Sequence, residues 1–141
     1  MKVEFVIVGE PCGKGRPRFA TVNGHAMAYT PKETANYENL VKVSYRMKYG
    51  LQRFGDTAPL LMYVKAYYSI PKSTSKKNRQ LMLDRKIRPT KKPDWDNIGK
   101  IVADSLNGVA YRDDAQVVDA FVRKYYSDEP RVEVTITDDE D

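Results

Sequence analysis

The chain of 141 residues carries a formal net charge of +5, and 41% of its residues are hydrophobic. That length suits one domain around one core, and apolar residues spread along the chain exclude a disordered protein or a membrane span. A single cysteine, Cys12, and a single histidine, His25, exclude an internal disulfide, a zinc cluster and a Cys-His catalytic pair.

The tail Asp138-Asp139-Glu140-Asp141 masks the balance of the rest, because without its four acids residues 1–137 carry +9. A basic body calls for a polyanionic partner. Nucleic acid fits better than a membrane surface, since the chain shows no amphipathic anchor or lipidation signal, although a merely solvated basic surface gives the same count. The apolar start from Val3 to Val8 is too short for a signal peptide, so a cytoplasmic protein with no membrane partner is expected.

In chain order, Val3, Phe5 and Ile7 alternate with Glu4, Val6 and Val8 as a strand, which Gly9-Glu10-Pro11 breaks. A loop follows. Its Gly13-Lys14-Gly15-Arg16-Pro17-Arg18 is not a phosphate-binding loop: no Ser or Thr follows Lys14, the glycine spacing from Gly9 is short and Pro17 blocks an immediate helix, so no small-molecule substrate is expected. Thr30 as cap, Pro31 at the first helical position and Glu33 predict a helix from Pro31 to Tyr49, ended by Gly50. Leu60 to Ile70 reads as a strand stopped by Pro71, on which Tyr67 and Tyr68 face opposite ways.

Lys72 to Lys92 contains nine Lys or Arg residues and one acid, Asp84, with a short helix expected across Lys76 to Arg85. Pro89 and Pro93 bound an extended connection, after which Asp96 or Asn97 caps a helix that carries Ile98, Ile101, Val102, Ser105 and Leu106 on one face and ends at Gly108. Asp113-Asp114 then turns the chain into a strand from Gln116 to Tyr126, and Val132, Val134 and Ile136 alternate on a last strand from Arg131 to Thr137.

Chemistry concentrates on the aspartates. Asp94 and Asp96 stand two apart in chain expected to be extended, roughly 6.6–7 Å between Cα atoms, and so share a face on which two carboxylates converge on one hard cation. The bare spacing is equally that of a helix cap beside a solvated loop acid. Lys100 lies one helical turn beyond Asp96 and Asp104 one turn further, placing an ammonium beside the acids where it can offset charge developing on phosphate or orient the attacking water, although an ordinary Asp-Lys-Asp surface ladder has the same spacing. Asp113 and Asp114 form a second acidic pair, one of which suits turn capping.

Taken together, Lys92-Pro93-Asp94-Trp95-Asp96-Asn97, Lys100, Asp104-Ser105-Leu106-Asn107-Gly108 and Tyr111-Arg112-Asp113-Asp114-Ala115-Gln116-Val117-Val118 closely resemble the RusA-type Holliday junction resolvases, usually encoded by phages and prophages. Similarity is weaker in Lys14-Gly15-Arg16-Pro17-Arg18-Phe19 and Pro71-Lys72-Ser73. The resemblance implies metal-binding aspartates at Asp94, Asp96 and Asp114, a catalytic lysine at Lys100, and Asp113 as a neighbour. Trp95 departs from the aliphatic residue expected there; in extended chain it points away from the aspartate face and packs in the core.

The expected architecture is a single α+β domain over residues 1–137, with a mixed β-sheet and two main helices, followed by the acidic tail of residues 138–141. The expected activity is hydrolysis by a Mg²⁺-dependent endodeoxyribonuclease, with Mn²⁺ a possible substitute. Working as a homodimer in DNA recombination and repair, it would make paired incisions in four-way junction DNA, and the resemblance implies that these leave 5′-phosphate and 3′-hydroxyl ends. A two-fold dimer offers two equal sites to a junction of approximate two-fold symmetry. Lys72, Lys76, Lys77, Arg79, Lys91 and Lys92 are expected to hold the phosphates of the arms. Other readings remain open: a nuclease of flaps, overhangs or RNA using the same acids, and a noncatalytic DNA-binding module whose tyrosines stack on bases.

Overall fold

The alternation of the first strand is realised in a computed structural model that describes residues 1–15, 18–29 and 31–138. Strand β1 (Lys2–Val8) buries Val3, Phe5 and Ile7 and exposes the residues between them. They face Ile136, Val134 and Val132 of antiparallel β6 (Arg131–Thr137). Strand β4 (Leu60–Ser69) continues the same inner face with Met62, Val64 and Ala66, and β5 (Val117–Ser127) runs parallel to it at the edge. The order β1-β6-β4-β5 makes one mixed sheet, as expected.

Two helices cover that inner face. Helix α1 (Lys32–Tyr49) buries Tyr37, Val41 and Tyr45 over the β1 side, and α3 (Trp95–Ser105) buries Ile98, Ile101 and Val102 over the β5 side. Each fully buried aliphatic side chain contributes on the order of 1.5–3 kcal/mol, so this α/β interface, rather than helix propensity, holds α3 in place. The outer face is aromatic and cationic: Tyr67 stacks on Tyr125, with Arg131 over Tyr67 at 4.0 Å and Arg85 over Tyr125 at 4.3 Å. Tyr67 and Tyr68 thus face opposite ways, as the strand period requires.

Several boundaries differ from the expectations. Thr30 lies outside the described residues, and Pro31 stands at the cap position of α1 rather than in its first turn. The short basic helix α2 (Lys76–Leu83) ends earlier than expected and is capped by Ser75, whose hydroxyl accepts from the Asn78 N–H. A hairpin of β2 (Arg18–Val22) and β3 (His25–Tyr29) occupies what reads as loop in the sequence. Its turn is Asn23-Gly24, with φ of 51° and 78°, a pair of left-handed residues that matches the twist of a hairpin. Of the acidic tail only Asp138 is described, and its carboxylate pairs with the Met1 ammonium at 2.8 Å.

The start of α3 changes the chemistry. The helix begins at Trp95 with Asp94 as its extended cap, ahead of the expected cap at Asp96 or Asn97. Asp96 is therefore in the first helical turn, and Asp94 and Asp96 do not share a strand face. Trp95, the first helical residue, is 65% exposed and not in the core. The reason is local: Pro93 restricts only the residue before it, so nothing holds the chain extended through Asp96, and Asp94 occupies the cap position by its backbone without a side-chain capping bond.

Candidate active site around the first turn of helix α3

The segment ahead of α3 is held from the sheet. The Tyr68 hydroxyl donates to the Pro93 carbonyl at 2.5 Å, and Lys124 Nζ donates to the Lys91 carbonyl at 2.6 Å. These bonds fix where the aspartate motif leaves the basic run. Burial raises the Tyr68 pKa, which keeps the phenol protonated as a donor, and burial lowers that of Lys124. Neither residue carries a signal in the local motif, because each reaches it from a distant strand.

Asp96 and Lys100, one helical turn apart, border a cavity of about 380 Å³ together with Asp114, Trp95 and Phe121. Asp114 opens the short 3₁₀ turn Asp114–Gln116, and its N–H donates to Asn107 Oδ1 at 2.7 Å. The preceding residue does the capping: Asp113 Oδ2 accepts from the Ala115 N–H, and the Gln116 side chain accepts from the Asp113 N–H. Of the acidic pair, Asp113 is thus spent on the turn and Asp114 faces the cavity. Burial first, and then the adjoining Asp104 carboxyl, raises the Asp114 pKa above the ordinary carboxylate range.

Asp94 stands apart from these groups. It lines a neighbouring cavity of about 690 Å³ with Glu10, Lys14, Lys92 and Asn97, and its side chain makes no capping hydrogen bond to α3. Among the described residues no three His, Cys, Asp or Glu side chains converge as a ready-made metal cage. The donor chemistry still fits a hard cation. Asp96 and Asp114 offer only oxygen, and a raised carboxyl beside a second carboxyl is what a divalent cation relieves. Mg²⁺ in particular is commonly held by one or two carboxylates, with waters and substrate phosphate completing its shell.

The basic residues divide by their partners. Lys72, Lys76 and Lys77 are exposed in the segment that follows β4, whereas Arg79 on α2 is ion-paired with Asp128. The Lys91 ammonium lies over the Tyr126 ring at 5.8 Å, and Lys92 borders the Asp94 cavity. Sequence reasoning misses one cation: Lys14 Nζ lies 2.6 Å from Asp104 Oδ2, across 90 positions of chain.

Oxygen donors for a hard cation, an ammonium one helical turn away and flanking basic surface are what hydrolysis of a nucleic-acid backbone asks for. The sequence matches the Endodeoxyribonuclease RusA family over residues 9–137, nearly its whole length, and the chain belongs to that family of Holliday-junction-resolving nucleases. It is also similar to the uncharacterized protein YqaN of Bacillus subtilis (strain 168), at 42% identity over 139 residues, covering 95% of this chain and 94% of that one. No helix among the described residues is long and apolar enough to cross a membrane.

Proposed function

We propose that this chain is a Mg²⁺-dependent resolvase that acts as a homodimer, cutting opposed strands of a four-way DNA junction by phosphodiester hydrolysis. The observation that carries the reading is the convergence of Asp96, Lys100 and Asp114 on one cavity, from two separate elements of the chain. Asp96 and Asp114 would hold the cation; Asp94, the third ligand implied by the family resemblance, lines the neighbouring cavity with its side chain not engaged in capping α3, so it would have to turn toward the cation to join them. Bound there, Mg²⁺ supplies charge neutralisation at the scissile phosphate and activation of water. Lys100, on the Asp96 face of α3, places its ammonium where negative charge grows on the phosphate oxygens. Asn107 holds the Asp114 backbone, and Tyr68 and Lys124 fix the approach to Asp94.

The basic residues from Lys72 to Lys92 adjoin the aspartate motif in sequence and grip the junction arms, with Lys72, Lys76, Lys77, Lys91 and Lys92 the principal phosphate contacts. Dimerisation is supported by the edge position of β5, on which Val118 is 65% and Phe121 48% exposed. Apolar side chains on an open strand edge favour a covering partner.

The test is incubation with a synthetic four-way junction, a flap and a linear duplex, each with and without Mg²⁺. Paired cuts in the junction, abolished by EDTA, are the expected result. Equal cutting of the flap moves the reading to a general structure-selective nuclease, and binding without cleavage in either Mg²⁺ or Mn²⁺ moves it to a noncatalytic module.

A further inference from the structure

We propose that Lys14 is a built-in counter-ion of the acidic site, a positioning residue that acts through Asp104 and sets how tightly the site takes a divalent cation. The inference rests on reading Asp114 as a cation ligand.

Lys14 is delivered to the site by its neighbours. A Cβ on Gly13 would lie 3.0 Å from Pro93 Cβ and 3.1 Å from Asn97 Cβ, at the start of α3. A Cβ on Gly15 would lie 2.6 Å from Thr34 Oγ1, in the first turn of α1, and the Gly15 N–H donates to that same oxygen at 3.0 Å. The two glycines therefore seat the loop against two helix starts, and Lys14 between them has little latitude. Its ammonium ends 2.6 Å from Asp104 Oδ2, with both side chains largely covered. Gly-Lys-Gly serves here as a brace that presents a cation to carboxylates rather than as a cradle for phosphate.

The consequence is electrostatic. Asp104 adjoins Asp114, so without Lys14 it would be a further carboxylate at the cation site. Cation affinity rises with the number of negative ligands. By neutralising Asp104, Lys14 subtracts one charge and keeps that oxygen engaged elsewhere, leaving a site weak enough to need DNA phosphate to complete it. A unit charge some 5–6 Å from a divalent cation, in a dielectric near that of water, alters its affinity by about tenfold.

The experiment is a double-mutant cycle read by Mn²⁺ binding to the DNA-free full chain, using electron paramagnetic resonance of free Mn²⁺. Lys14→Met is expected to tighten binding about tenfold, Asp104→Asn to weaken it by a similar factor, and the double variant to return within about threefold of wild type. Lys14→Arg should stay near wild type. A brace without electrostatic purpose predicts that both single variants bind Mn²⁺ equally or more weakly, and that result overturns the proposal. If Lys14→Met does not fold, Lys14→Gln is read in its place, and unchanged or weaker binding by that variant overturns the proposal. Wild-type protein that binds no Mn²⁺, or an Asp114→Asn variant that binds it as wild type does, removes the underlying cation reading. Loss of that reading is thereby distinguished from failure of the Lys14 role.

Discussion

Asp96 and Lys100 stand one turn apart on helix α3 and border the cavity that Asp114 enters from a separate element of the fold. A carboxylate and an ammonium so placed have different duties, and substitution separates them. Asp96→Asn removes charge without changing shape in an exposed first turn, so folding should be retained. Junction binding should also hold, because loss of a negative charge does not weaken attraction to phosphate. Cleavage in Mg²⁺ is expected to vanish. Lys100→Ala should lower the cleavage rate by roughly 10²- to 10³-fold, the usual cost of one electrostatic donor, with a much smaller change in affinity. Cleavage and gel-shift assays on one preparation give both numbers. Wild-type cutting by Asp96→Asn would remove that residue from the site, and a loss confined to binding would make Lys100 a phosphate clamp.

The brace that carries Lys14 makes a prediction about stability. Gly15→Ala forces a methyl to within 2.6 Å of Thr34 Oγ1, on a side chain that is itself buried. Relief requires moving the start of α1 or breaking the Gly15-to-Thr34 hydrogen bond. A cost of about 1–3 kcal/mol is expected, as for other overpacked sites, and urea denaturation will measure it. A variant within about 0.5 kcal/mol of wild type, flagged by an unchanged midpoint, would show that the loop has slack.

The strands are readable in the sequence because their burial alternates: Val3, Phe5 and Ile7, like Val132, Val134 and Ile136, face one core, even though the outward positions of β1 include the exposed Val6 and Val8. The β2–β3 hairpin is not, since Phe19 and Met27 are exposed and leave no inward stripe. Asn23-Gly24 is its one local signal, and the reading of this region as loop overlooks it. The aspartate motif is legible as chemistry but not as geometry. Asp94, Asp96 and Asn97 all suit a cap position, and the helix takes the earliest of them without a side-chain capping bond, which sends the Asp94 and Asp96 side chains to different cavities. Lys14 lies beyond sequence reasoning altogether, because its meaning depends on an ion pair with Asp104 that only the folded chain makes.

Cys12 gives a pH-dependent check on the packing of the same loop. Burial, reinforced by Glu33, raises its thiol pKa. The thiolate is the reactive form, so alkylation by iodoacetamide should be slow at mildly alkaline pH and keep accelerating above the ordinary thiol range. In urea the ordinary profile should return. The linked effect on stability has a definite sign. As pH rises, the unfolded chain loses this proton first, so between the ordinary pKa and the raised one the unfolded state binds fewer protons and stability falls. A Cys12→Ser variant should lack that part of the decline. An ordinary alkylation profile in the folded protein would mean that the thiol is not covered.

The basic run supplies the last test, because the structure divides residues that look equivalent in sequence. Lys76 and Lys77 are exposed in the first turn of α2, while the Arg79 guanidinium is engaged with Asp128. If the run grips the junction arms, replacing Lys76 and Lys77 by Gln should weaken binding to junctions of any sequence. It should also reduce the slope of log affinity against log salt by about 0.9 for each phosphate the protein no longer neutralises. Stability should stay within about 0.5 kcal/mol, as for other exposed surface positions. Arg79→Gln should behave differently. The Arg79 charge is already balanced by Asp128, so this substitution should change the salt slope less than either lysine does, and because an exposed ion pair contributes only about 0–1 kcal/mol the melting temperature should fall slightly at most. Titrations at several salt concentrations, paired with thermal melts of the same variants, separate the two signatures. A slope unchanged by the double lysine substitution would place the DNA on another face, with the Lys91, Lys92 and Lys124 side of the Asp94 cavity the next to examine.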